Sequence, residues 1–156
     1  MRLLSVLVLL SAPSGAALAQ TNCPPPTLQV LRNNEEVPAT GAPLAPHATL
    51  RISPSSACSG TRYQCTGVEL TLLRGTRPLT PTRTVRRPQV DLTAWLPEAR
   101  PGDRLYVFVP YKNLLVLAAN GSTTPYPLPE TNPSKSRGLD LATDDVKGIS
   151  FTWVVR

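Results

Sequence analysis

Aromatic side chains make up only 5% of the chain, so its core has to be filled mainly by leucine, valine and isoleucine. There is one histidine, His47, and no carboxylate or cysteine stands beside it in Pro46-His47-Ala48. A catalytic histidine needs such a partner to set its tautomer and pKa, so His47 reads as an ordinary loop or edge residue. No Gly-x-Ser-x-Gly elbow and no glycine-rich phosphate cradle occur, and no serine or threonine acquires a triad. Three separated cysteines and one histidine do not make the paired ligand spacing of a zinc site. Asp140, Asp144 and Asp145 form the main acidic cluster, yet they miss the EF-hand register and its closing glutamate. These absences predict a non-enzymatic protein that needs no metal or cofactor.

Long apolar runs are missing too, apart from Leu3 to Leu10 near the start. That run is too short for a permanent membrane helix. With Arg2 before it and Ala17-Leu18-Ala19 after it, residues 1–19 read as a signal peptide whose cleavage leaves Gln20 first. The expected location is the periplasm or the exterior, with no transmembrane segment after cleavage. Gln20-Thr21-Asn22 before Cys23 are not the small residues a lipid anchor requires. Such a compartment permits disulfides. Cys58 and Cys65, flanking a short polar segment, are the candidate pair and Cys23 the spare. Connectivity does not follow from spacing, so a Cys23 bridge to either remains open.

What the chain does have is proline: 18 of them, spread throughout. They forbid long helices and favour short strands between stiff turns. Residues 20–27 form a proline-rich lead-in, and 28–156 make one domain. Leu28–Leu31 and Ala48–Ile52 read as strands, with a turn at Asn33-Asn34. In the next strand Val68, Leu70 and Leu72 share one face, and Arg74-Gly75-Thr76 closes it. Residues 77–87 are extended, and Pro78, Pro81 and Pro88 mark an edge. Asp91 caps a brief helical turn over Leu92–Leu96.

Arg104–Val109 is apolar on both faces, as in a central strand. Leu114–Ala118 leads into an Asn120-Gly121 hairpin, which also explains the Asn120-Gly121-Ser122 sequon. Residues 123–147 form a long connection of the kind that carries function. A terminal strand then sets Ile149, Phe151, Trp153 and Val155 on one face. Six or seven short strands with almost no helix predict an all-β, antiparallel, immunoglobulin-like sandwich, the alternative being a small barrel.

Charge is uneven. Sixteen basic residues against ten acidic ones leave a net charge of +6, which favours acidic partners and polyanions. Arg74, Arg77, Arg83, Arg86 and Arg87 fall in a stretch with no acid between Glu69 and Asp91. Guanidinium groups there suit carboxylate, sulfate or phosphate, although arginines on a proline-bearing edge also protect a sheet from aggregation. No aromatics interleave them, so nucleic acid is not the expected partner.

The second half resembles a known family. VELTLLRG (68–75), the Asp91–Leu96 turn, PGDRLYVF (101–108) and terminal GISFTW (148–153) are together similar to the C-terminal domain of GldM. GldM belongs to the gliding-motility and type IX secretion machinery of Bacteroidetes. The resemblance, over residues 68–156, implies a β-sandwich in a bacterial envelope and carries over no functional residue. The sequence therefore predicts an exported interaction or structural module with a protein partner in the cell envelope. The alternative is a polyanion- or acidic-glycan-binding module that uses the Arg74–Arg87 segment.

Overall fold

The computed structural model describes residues 23–118, 120–127 and 147–156. The signal-peptide stretch and most of the 123–147 connection, with Asp140, Asp144 and Asp145, lie outside the described residues. The regular structure described is mainly antiparallel β-strand, with three short 3-10 turns.

The first sheet starts from β1 (Thr27–Arg32), whose Leu28 and Val30 point inward. Asn33 and Asn34 both adopt positive φ, 51° and 66°, the turn geometry that asparagine tolerates best and that matches strand twist. They return the chain as β2 (Glu35–Glu36). β1 also pairs with β3 (His47–Ser53), which pairs with β8 (Gln89–Asp91), giving the order β2-β1-β3-β8.

A second sheet is built on β5 (Val68–Arg74), flanked on one side by β9 (Arg104–Pro110) and β12 (Gly148–Val154). On its other side two short pieces, β6 (Arg77–Pro78) and β7 (Arg83–Val85), share the edge that the prolines foretell. The third sheet, in the order β11-β10-β4, comprises β4 (Arg62–Cys65), β10 (Leu114–Leu117) and β11 (Thr123–Pro125). Gly121 at φ 82° makes the hairpin between the last two.

The sheets do not close into a barrel. The β1-β3-β8 face contributes Val30, Leu50 and Val90 to a common core. The β5-β9-β12 face adds Leu70, Leu72, Val107 and Trp153, and Leu114 joins from the third sheet. The arrangement is a β-sandwich whose interior is mainly aliphatic, with Trp95, Tyr111 and Trp153 as its buried aromatics among the described residues. Trp153 is fully buried, and its indole N–H donates to the Ala42 carbonyl at 2.8 Å. Gly41 (φ 95°) lets segment 41–43 lie against the end of β12, because a Cβ there would collide with the Val154 carbonyl.

One sequence-based expectation is corrected. The disulfide joins Cys23 to Cys58, with Cα atoms 6.0 Å apart, and Cys65 is free. The polar stretch after Cys58 does not fold back on itself. From Arg62 it becomes β4, paired with β10 opposite Leu114 and Leu115. Alternation turns Tyr63 and Cys65 toward the core. Cys58 closes a 3-10 turn, Ser56–Cys58, where the proline lead-in reaches it. Burial pushes the Cys65 thiol up from its ordinary pKa, which keeps it unreactive.

A structural disulfide fits an oxidising compartment. No helix among the described residues is long and apolar enough to cross a membrane. Cys58→Ser is expected to cost about 2–4 kcal/mol through lost loop closure, and Cys65→Ser much less. Urea titration of both variants, with non-reducing peptide mapping of the wild type, checks this.

Candidate functional site

The five arginines singled out by sequence do not act as one group. Arg74, at the end of β5, is committed to the fold. Its Nε and Nη2 donate to the two carboxylate oxygens of Asp103 at 2.9 and 2.8 Å, and Nη2 also reaches the Glu98 carbonyl at 3.0 Å. Asp103 is only 3% exposed, so the pair anchors the turn that precedes β9. The Arg74 side-chain hydrogen bond, with help from the Arg100 backbone N–H, holds the Asp103 carboxyl below the ordinary carboxylate range. A forked guanidinium already filled by a carboxylate is not available to a ligand.

The other four stay exposed along one side of the sandwich. Arg77 lies on β6 and Arg83 on β7, both at the edge of the second sheet. Since β7 pairs with β5 and β8 with β3, the chain between them crosses from one sheet to the other. Arg86 and Arg87 occupy that crossing, next to Pro88. Among the described residues Arg77, Arg86 and Arg87 have no side-chain ion pair or hydrogen bond. Arg83 donates only to the Asp91 carbonyl, at 3.3 Å.

Folding also brings this corner a neighbour that the sequence does not reveal. Pairing of β3 with β8 sets His47 opposite Asp91, with Nδ1 and Oδ1 3.9 Å apart. Asp91 accepts from the Thr93 N–H at 2.9 Å, and Thr93, more than His47 or Arg83, lowers its pKa. Arg87, Gln89, His47 and Asp91 border an open groove of about 520 Å³. The side chains of His47 and Asp91 are 78% and 61% exposed, too wet for a poised acid–base pair. Arg87, Gln89 and His47 offer hydrogen-bond donors in this groove, beside the Asp91 carboxylate.

Two further features escape a reading by linear spacing. Arg32, Glu35, Glu36 and Arg156 border a groove of about 430 Å³. It exists because Ala42 bridges Val155 in parallel and draws the chain's end to the β1–β2 hairpin. Tyr126 stacks on Tyr111 with ring centroids 4.9 Å apart and meets Tyr63 at 6.1 Å. Burial raises the pKa of all three phenols. Among the described residues no three His, Cys, Asp or Glu side chains gather as a metal site would need. No protein-family model, curated protein or solved structure matches the chain.

Proposed function

We propose that this chain is an exported, non-enzymatic β-sandwich that acts by contact, as an interaction or structural module of the bacterial cell envelope. The observation that carries the reading is the set of exposed arginines, Arg77, Arg83, Arg86 and Arg87, along one edge and one corner of a disulfide-tied scaffold. Three of them have no ion pair or hydrogen bond from a described side chain, so their forked donors are free for an acidic partner protein. A rigid sandwich holds such a surface in place without spending binding energy on ordering it. The GldM-like pattern of the second half supports an envelope setting in gliding motility or type IX secretion.

Recognition of an acidic glycan or another polyanion by the same arginines is the second reading. The groove joining Arg87 to His47 and Gln89 favours it, since all three side chains can donate to an anion held away from the Asp91 carboxylate on the same wall. Retention on immobilised heparin is expected to weaken with salt and to drop sharply when Arg83, Arg86 and Arg87 are all reversed to Glu. Crosslinking in the periplasm tests the protein partner. A partner captured by wild type and lost in the reversed variant supports the first reading, and heparin retention unchanged by reversal removes the second.

A further inference from the structure

We propose that β12 is a pairing edge through which two copies of this chain join their second sheets, antiparallel, about a two-fold axis at Ser150. The starting point is a contrast between edges. Among the described residues every other sheet edge carries a device that discourages added strands. β2 is two residues long and both are glutamates. β6 and β11 each contain a proline, β4 begins with Arg62, β7 with Arg83, and three-residue β8 ends in Asp91. β12 has seven residues, Gly-Ile-Ser-Phe-Thr-Trp-Val, without a charge or a proline.

Backbone parity fixes which groups are open. Tyr111 N–H donates to the Lys147 carbonyl and Val155 N–H to the Asp103 carbonyl, in register with Ile149↔Val109 and Trp153↔Leu105. Odd-numbered residues of β12 therefore bond to β9, and even-numbered ones direct N–H and C=O to the other side. There the Val154 carbonyl is taken by the Ala42 N–H. Among the described residues the main-chain groups of Gly148, Ser150 and Thr152 on that side have no partner. Phe151 is only half-buried, while Ile149 and Trp153 on either side of it are buried. The middle of the strand is covered only in part on its apolar face, where Phe151 packs against the core.

A second copy suits this edge better than a charged peptide does. Placing Ser150 opposite its own symmetry mate pairs Gly148 with Thr152 at both ends, which uses each open group and leaves Val154 to Ala42. Phe151 then lies across from Ile149 of the other copy, completing an apolar row. Each copy is basic, and the repulsion this causes is kept small because the exposed arginine edge lies three strands from β12, across β9 and β5. Joined at β12, the two arginine edges end up roughly 34 Å apart at the usual strand spacing. That is several times the Debye length of about 8 Å at physiological salt. Pairing through any other edge of this sheet would press the arginines together.

Sedimentation of the purified chain over a range of concentrations gives the first test: a two-copy species is expected, and a monomer up to millimolar concentration overturns the proposal. Ser150→Pro deletes an edge-facing N–H and spares the ladder to β9, so a folded but monomeric variant is expected. A dimer that survives it overturns the proposal. In case that variant does not fold, Ser150→Cys in a Cys65→Ser background supplies a second reading. Directly opposed Cα atoms lie about 5.5 Å apart, within disulfide reach, so mild oxidation is expected to give a covalent dimer. Thr84→Cys in the same background, on the arginine edge, is expected to stay monomeric. The reverse pattern overturns the assignment.

Discussion

Replacing Trp153 by alanine is expected to cost about 3–5 kcal/mol and to leave the domain barely folded. Trp153 has no exposed surface and is the largest fully buried side chain among the described residues. It lies opposite Leu105 of the neighbouring strand, within the common core, so truncation leaves a cavity there. The substitution also removes one of the two donors to the Ala42 carbonyl, which keeps only the Arg156 N–H at 3.2 Å, and the lost hydrogen bond adds about 1 kcal/mol. Total stabilities of about 5–15 kcal/mol leave little after such a loss. Ala42 is itself bonded to the end of β12 through Val154 and Arg156, so damage at Trp153 loosens the strap as well. Trp153→Phe separates the two causes, keeping most of the apolar volume while losing the donor, and should fall between wild type and Trp153→Ala. Urea unfolding followed by far-ultraviolet circular dichroism checks the order.

The sequence carried the parts of the fold that rest on alternation. Val68, Leu70 and Leu72 announce β5 because each faces the core in turn, and Ile149 and Trp153 announce β12 for the same reason. Turn chemistry was equally readable. Asn33-Asn34, Gly75, Gly102 and Gly121 all take the positive φ that their residue types tolerate. Segments whose structure is imposed by a partner were not legible. β4 has the polar sequence Arg-Tyr-Gln-Cys and is a strand because β10 needs a neighbour, and from that follows the misplaced disulfide.

The candidate site was legible only as composition. Linear order groups Arg74 with Arg86 and separates His47 from Asp91, and both relations are reversed by pairing. Arg74 turns to a carboxylate twenty-nine residues on, and β3–β8 pairing delivers Asp91 to His47. One signal was present for the first of these. Asp103 follows a Pro-Gly turn and immediately precedes a strand with two apolar faces, a place where a carboxylate is apt to be buried and to need a cation.

Removing that carboxylate, by Asp103→Asn, is expected to destabilise the domain at neutral pH and to make no difference in acid. In the folded chain Asp103 accepts from Arg74 Nε and Nη2 and from the Arg100 N–H, at 2.8–2.9 Å. Each of these bonds favours the ionised carboxylate, so its pKa lies below the unfolded value of about 3.9. A carboxyl with a depressed folded pKa binds fewer protons when native, and it stabilises fully above the unfolded pKa. The contribution drains away as pH falls through the folded value. Arg74 is partly in solvent, which trims the benefit, and hydrogen bonds to a charged, buried acceptor still put the loss on the order of 2 kcal/mol. Asp91 also has a lowered pKa, so the stability of wild type alone mixes two titrations. The difference between wild type and Asp103→Asn isolates one of them. Urea midpoints measured from pH 7 down to pH 2 should show a constant gap that closes only below about pH 4. A gap that persists at pH 2 would mean that the side chain acts by shape, and that the Arg74 pair contributes nothing through charge.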